Sequence, residues 1–360
     1  MKKDELREWR KVTTFFCPQC EVSVNLKVGD IVVPHFAHNK DASCSASFSE
    51  GESREHLLGK KQLYEFFHRN VEDVKLEPYF KSLAQRPDLL VTSNSELIPI
   101  EFQCSMIPLS QIESRTKGYI SAGMKPIWIL HTPAKLKTLP QGVGVINLSR
   151  FEKRFITQIT SGSSFILTYN PQSEKFHYFS SLLHVTGNQY IAIHRTLTIS
   201  KQIFPFAIPK TPSDNELRRY ALIYSSMRKK FLNSRVLLNR RGINDPFLRG
   251  CYELRILPLE LPLWLGIPVT ISNPFRVHPV EWQLALVYFM KKRGIQFDAL
   301  SEELIVNFIQ RFGDLSEEQV EAVMKFKDIL LPFGINLRGK ELQFDETELV
   351  KAIALTFLAK

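Results

Sequence analysis

The sequence predicts an α/β protein in three parts: a short Cys/His module, a mixed α/β core, and a mainly helical, basic segment. Three observations carry that expectation. Between residues 52 and 130 the apolar pattern runs from helical spacing to alternation, back to helical spacing, and then to a continuous run. Three of the five cysteines precede residue 50, two of them as Cys-x2-Cys. Beyond Pro212 the chain reads as helices with a local excess of arginine and lysine. The expected boundaries are 1–49, 50–205 and 206–360.

The first core element is a helix from Glu52 to His68, with Leu63, Tyr64 and Phe67 on its buried stripe. Glu52, His56 and Lys60 recur at i, i+4 and i+8 on that stripe. Polar groups aimed inward are costly unless partnered, so a metal or phosphate partner is expected.

A hairpin follows. Pro87 suits a strand entrance, Leu89 to Val91 form a short apolar strand, and Thr92-Ser93-Asn94-Ser95 favours a turn. In the returning strand Ile98, Ile100, Phe102 and Cys104 share one face, while Pro99, Glu101 and Gln103 share the other. Asp88 then sits across from Glu101. Two converging carboxylates can hold Mg²⁺ or Mn²⁺, which polarises a phosphoryl oxygen and lowers the pKa of a bound water. Taken alone, an Asp…Glu-x-Gln pattern also fits a solvated hairpin face. Ser110 to Glu113 reads as a capping box for a helix that Gly123 closes, with Arg115 and Tyr119 on one face. Ile127 to Leu130, after Pro126, has the continuous apolar character of a central strand.

The N-terminal module precedes this core. The chain shows no secretory signal or membrane span, which predicts a reducing, cytoplasmic location where disulfides do not persist. Cys17, Cys20, His35 and His38 therefore predict a tetrahedral zinc site, with Cys44 as an alternative to His35. Val22 to Val33 reads as a β-hairpin between the ligand pairs, which makes the module a zinc ribbon.

After Leu130, residues 131–150 read as a linker and 164–195 as two β-hairpins, in which His177, His184 and His194 are satisfied strand residues. Ser213 to Glu216 forms a capping box, followed by Leu217, Tyr220, Ala221, Tyr224, Met227 and Phe231 at helical spacing. Eleven Lys or Arg and four Asp or Glu lie between Lys210 and Arg255, a local +7 within a chain total of +10. Arg228, Lys229 and Lys230, with the turn at Arg240-Arg241, are the expected phosphate contacts; a solvated helix face is the alternative. Further helices are expected over Glu281 to Gly294, Ser316 to Phe333, and from Glu341 onward. No nucleophile elbow, P-loop or dinucleotide fingerprint is present.

The motifs CPQC (17–20), HFAH (35–38), GESREH (51–56), RPD (86–88) and EFQCS (101–105) resemble the PD-(D/E)XK nuclease superfamily, and more closely the competence protein CoiA family. The likeness extends through the RTKGY and WIL segments. It covers about the first 135 residues, and the remainder is similar mainly in length and in EWQ at 281–283. The resemblance implies a restriction-endonuclease-like core with a zinc-finger-like N-terminal domain. It also implies a predicted nuclease that promotes transformation and recombination of incoming DNA. Asp88, Glu101 and Gln103 take the catalytic positions, with Glu52 and His56 in support and Mg²⁺ or Mn²⁺ on Asp88 and Glu101. Gln103 stands where the wider superfamily usually has lysine, so the cation facing DNA would come from Lys60 or Arg115. The expected partners are DNA, single-stranded and branched forms included, and recombination proteins. The competing expectation is a catalytically weak DNA-binding scaffold.

Overall fold

The computed structural model describes residues 3–17, 20–29, 34–39, 53–158, 164–312, 315–337 and 344–358. Glu52 and Cys44, both named above, lie outside them. The chain divides into two compact units. The first comprises Met1–Thr132, Thr168–Phe176 and Leu197–Ala207, and the second Pro133–Leu167, His177–Thr196 and Ile208–Lys360. Residues 133–167 and 177–196, expected within the 50–205 domain, thus group with the helical segment.

The first unit opens with α1 (Lys3–Val12) and a three-stranded antiparallel sheet of β1 (Phe15–Phe16), β2 (Ser23–Lys27) and β3 (His35–His38). β2 pairs with β3 from Val24↔His38 to Lys27↔His35, so the returning strand carries both histidines, while residues 30–33 of the hairpin expected over Val22 to Val33 lie outside the described residues. Next come α2 (Arg54–Asn70), β4 (Asp73–Leu76), β5 (Leu89–Ser93), β6 (Glu96–Gln103), α3 (Leu109–Ser121) and β7 (Ile127–His131).

Ser53 caps α2, its side chain accepting from the His56 amide at 3.1 Å. The helix buries Gly59, Lys60, Leu63, Phe66 and Phe67, while Tyr64 is only half-buried. Phe66 and Phe67 pack against Phe176, Phe204 and Phe206 of the same unit. Gly59 is required by contact: a Cβ there would overlap the Phe102 ring, so the helix backbone rests on the ring.

β4, β5 and β6 are antiparallel neighbours. The β5–β6 turn places Asn94 and Ser95 at φ 50° and 62°, a pair of left-handed residues whose twist suits a two-residue hairpin. β6 and β7 are parallel, and α3 supplies the crossover that parallel strands need. β7 is the central strand expected, flanked by β6 and by Thr168 and Tyr169. The Ser110–Glu113 capping box does not form. Pro108 is the N-cap and α3 begins at Leu109, which leaves Ser110 inside the first turn. Gly123, at φ +76°, ends the helix region as expected.

The second unit contains α4 (Ala134–Lys137), β8 (Gly142–Asn147) and β9 (Thr157–Gln158). β10 (Ser164–Asn170), β11 (Lys175–Thr186) and β12 (Gln189–Thr198) contribute residues to both units. The linker expected over 131–150 is instead a helical turn and a strand. β8 pairs along its length with β12, and cross-strand pairing rather than the propensity of a Gly-Val-Gly-Val segment makes it a strand. His177 and His194 are buried and lie 3.0 Å apart (Nδ1 to Nε2), and His184 faces the Gly187 carbonyl.

Helices follow: α5 (Asp214–Leu237), α6 (Pro246–Leu254), α7 (Pro279–Arg293), α8 (Glu302–Ile309), α9 (Glu317–Leu330) and α10 (Glu346–Leu358). The Ser213–Glu216 box is present at the start of α5. Tyr220, Trp264, Trp282, Phe326 and Ile353 belong to one apolar core formed by these helices with β11 and β12. Arg228, expected at phosphates, is 4% exposed within it. Its guanidinium donates to the carbonyls of Leu265 (2.8 Å), Leu261 (2.9 Å) and Pro262 (2.8 Å). A residue on the buried face of a helix cannot face DNA, and this one ties α5 to the segment before α7. Lys229 and Lys230 are exposed.

Arg228→Ala leaves three carbonyls without their donor. It should lower unfolding stability by roughly 2–4 kcal/mol. Lys229→Ala should stay within about 0.5 kcal/mol of wild type. Urea denaturation of both variants checks this, and equal midpoints would contradict the assignment.

Candidate functional site

The carboxylates of the first unit are placed by strand register. β4 ends at Leu76 opposite Leu89, and Leu89 pairs onward with Ile100. Continuing both ladders by one residue sets Glu77 beside Asp88 and Asp88 beside Glu101. Glu77 N donates to Asp88 O at 3.0 Å, which extends the first ladder past its last named pair. Three acids thus come together at one end of the sheet, where β4 and β6 end and β5 begins.

Each acid meets cations from elsewhere. Asp88 Oδ2 accepts from Phe102 N at 2.8 Å and lies 3.3 Å from His56 Nε2. Lys60, 4% exposed, is ion-paired with Glu77 and stands 3.9 Å from Asp88 Oδ1. Arg86 Nη1 is 3.5 Å from Glu77 Oε2. On the α3 side, Glu101 Oε1 accepts from the Arg115 guanidinium and from Tyr119 OH at 2.6 Å. Arg115 also donates to Arg86 O at 3.0 Å. Gln103, half-buried at the end of β6, donates from Nε2 to Ser105 O at 2.7 Å.

The expected stripe of α2 is realised in His56 and Lys60, both directed at Asp88. Lys60 and Arg115 were also expected as DNA contacts. In this structure both are paired with carboxylates, Lys60 with Glu77 and Arg115 with Glu101. Arg228 is removed from the set by burial, as described above. Glu77, Arg86 and Tyr119 were not anticipated. The signal for Glu77 was present, since the Val-Lys-Leu-Glu segment ends one residue beyond a strand whose register leads to Asp88.

Glu101 is 3% exposed. Burial pushes its carboxyl up, the Arg115 charge opposes that, and Asp88 raises it further; the result is about 7, from 4.5. Tyr119 is raised as well, chiefly by burial. A carboxyl raised in the folded state favours the protonated form. Its contribution to stability is therefore complete below about 4.5 and is lost as pH rises through about 7. Between pH 5 and pH 8, wild type should lose unfolding free energy relative to Glu101→Gln, and urea midpoints across that range measure it. Parallel pH profiles would contradict the raised carboxyl.

The second cluster lies in the N-terminal module. The Cys17 and Cys20 thiols and a His38 ring nitrogen lie within 4.8 Å of one another, the one such group of three among the described residues. Cys20 Sγ is 3.2 Å from His38 Nε2. Beside the cysteines, Glu21 N donates to Cys17 O at 2.9 Å and Cys17 N to Val22 O at 2.8 Å. His35, expected as a ligand, is not in the group. His35 and His38 are three apart on one strand, and a period of two puts them on opposite faces.

The chain carries a nuclease-like domain: residues 52–211 match the family model described as "Competence protein CoiA, nuclease-like domain". Residues 1–47 match the model for the CoiA N-terminal domain. The chain belongs to the competence protein CoiA family. It is similar to the Competence protein CoiA of Bacillus subtilis (strain 168), 29% identical over 338 residues that cover 89% of this chain and 86% of that protein. No solved structure matches it. Among the described residues, no helix is long and apolar enough to cross a membrane.

Proposed function

We propose that this chain is a divalent-metal-dependent DNA phosphodiesterase of the PD-(D/E)XK type that acts in competence, on DNA taken up during transformation. The observation that carries the reading is the meeting of Asp88 and Glu101 at one end of the sheet with His56 and Lys60 directed at Asp88. Carboxylate oxygens suit Mg²⁺ or Mn²⁺. The residues fit such an ion: both hydrogen bonds to Glu101 fall on Oε1 and both to Asp88 on Oδ2, so Oε2 and Oδ1 would be the coordinating oxygens, with the Lys60 ammonium 3.9 Å from Oδ1. When bound, the ion supplies Lewis acidity toward a phosphoryl oxygen and a water. Gln103, a neutral amide, orients the attacking water. His56 accepts or returns a proton while Asp88 fixes its ring. Lys60 offsets the charge that grows on the phosphate, the task that Gln103 cannot perform.

Asp88→Ala and Glu101→Ala should abolish cleavage while preserving the fold, and Gln103→Lys should retain or raise it. The assay is nicking and digestion of single-stranded, double-stranded and branched DNA with Mg²⁺ and with Mn²⁺. Wild-type protein inert on all three forms with both metals would overturn the reading. One observation favours the scaffold reading instead: Arg115 and Tyr119 already occupy Glu101, whose burial resists ionisation.

The N-terminal module holds one structural zinc in this reading. Cys17, Cys20 and His38 supply three of the four ligands that a closed tetrahedral site requires, and Cys44 is the candidate for the fourth. Reducing, chelator-free preparations should carry about one zinc per chain. Cys20→Ser should lose it, whereas His35→Ala should retain it. Elemental analysis without zinc would refute the assignment.

A further inference from the structure

The second unit contains a cavity of about 880 Å³, walled by the C-terminal end of α5, the turn that follows, α6 and α7. That volume lies in the range of sites for small organic ligands. Its lining is divided by chemistry. Arg240 and Arg241 stand in the turn, exposed, and among the described residues neither guanidinium has an ion-pair partner. Arg249 on α6 is also exposed, its carboxylate neighbour Glu253 being 3.9 Å away.

Arg235 has a different role. Its Nη2 donates to both oxygens of Asp245 at 2.9 Å, and its Nε lies 2.9 Å from Glu281 Oε1. Asp245 in turn caps α6 through the amides of Phe247 and Leu248, each at 3.1 Å. That network holds the Arg235 guanidinium between two carboxylates, so its charge is already met. The charge left for a ligand therefore belongs to Arg240, Arg241 and Arg249.

The facing wall is apolar and aromatic, with Leu284, Ala285, Tyr288 and Phe312. Tyr288 is half-buried, with Lys292 Nζ 5.9 Å from its ring centre, and Phe312 is 42% exposed, high for so large an apolar side chain. A guanidinium fork matches phosphate oxygens, and an aromatic face accepts a flat heterocycle. The half-buried Glu281 carboxyl, raised by desolvation, offers a hydrogen-bond partner to ring N–H groups.

We propose that this cavity binds a nucleotide, its phosphate held by Arg240 and Arg241 and its base stacked on Tyr288. An acidic peptide would meet the same arginines. It would, however, leave the Tyr288 wall unused and place its carboxylates near Asp245, Glu253 and Glu281. A free nucleotide and a nucleotide within a single strand present the same chemistry.

The test uses the full chain in EDTA, which makes it independent of the phosphodiesterase reading. Binding of fluorescein-labelled decathymidylate is followed by anisotropy against salt, with thymidine monophosphate as competitor. Arg240→Ala/Arg241→Ala should weaken binding by about tenfold and flatten the log-affinity against log-salt slope by about 1.4, for two phosphates on a single strand. Tyr288→Ala should weaken it further, with Tyr288→Phe close to wild type. Irradiated 5-iodouracil decanucleotide should cross-link to the peptide bearing Tyr288 or Phe312. Displacement by the monophosphate identifies a free nucleotide as the ligand, and its failure to displace assigns the site to a strand. Affinity within about twofold of wild type in the arginine variant, a loss there with none in Tyr288→Ala, or cross-links confined to other peptides would each overturn the proposal.

Discussion

Three carboxylates side by side at the end of a sheet are the constraint on which the first unit depends. Register alone aligns Glu77, Asp88 and Glu101, and carboxylates drawn out of water repel unless cations answer them. The answers come from separate elements: Lys60 on α2, Arg86 before β5, and Arg115 on α3. An exposed ion pair contributes less than about 1 kcal/mol, so its geometry constrains little. A buried one left with a single partner costs several times more. The two helices must therefore dock for this end of the sheet to exist, and the ring of Phe102 against Gly59 fixes how deeply α2 does so.

Within that network the balance differs from acid to acid. Asp88 is met by a backbone amide, an imidazole and a nearby ammonium, whereas Glu101 is buried so deeply that its guanidinium partner does not fully compensate. Burial therefore makes Glu101 hold its proton more tightly than an exposed carboxyl would, up to about 7.

Much of this was legible because short-range patterns dictate it. Alternation through Ile98, Ile100 and Phe102 fixed the hairpin, and the i, i+4, i+8 spacing of α2 correctly turned His56 and Lys60 inward. What stayed hidden depends on partners distant in sequence. Arg228 lies four residues after Tyr224 on the stripe of α5, which Lys229 does not share, but the carbonyls of residues 261–265 that meet its charge are distant in sequence. β8 became a strand because β12 was there to pair with it. His35 falls outside the group of Cys17, Cys20 and His38 because ligand spacing, read alone, ignores the pleat of the strand that carries both histidines. Tyr119 was seen on a shared face with Arg115, but its bond to Glu101 follows from the crossover of α3 and not from spacing.

The first unit is assembled from three separate stretches of chain, the last ending at Ala207. Tyr169, Phe176, Phe204 and Phe206, which complete the aromatic packing around α2 and Phe102, are all encoded after β7. A ribosome that has released only the first 132 residues has therefore produced an open strand edge and an uncovered helix. Such surfaces pair and aggregate readily. The carboxylate end of the first unit thus matures late in synthesis, although its acids are among the earlier residues made. A fragment cut at the natural-looking boundary after β7 would carry Glu77, Asp88 and Glu101 and still lack the packing that holds them in place.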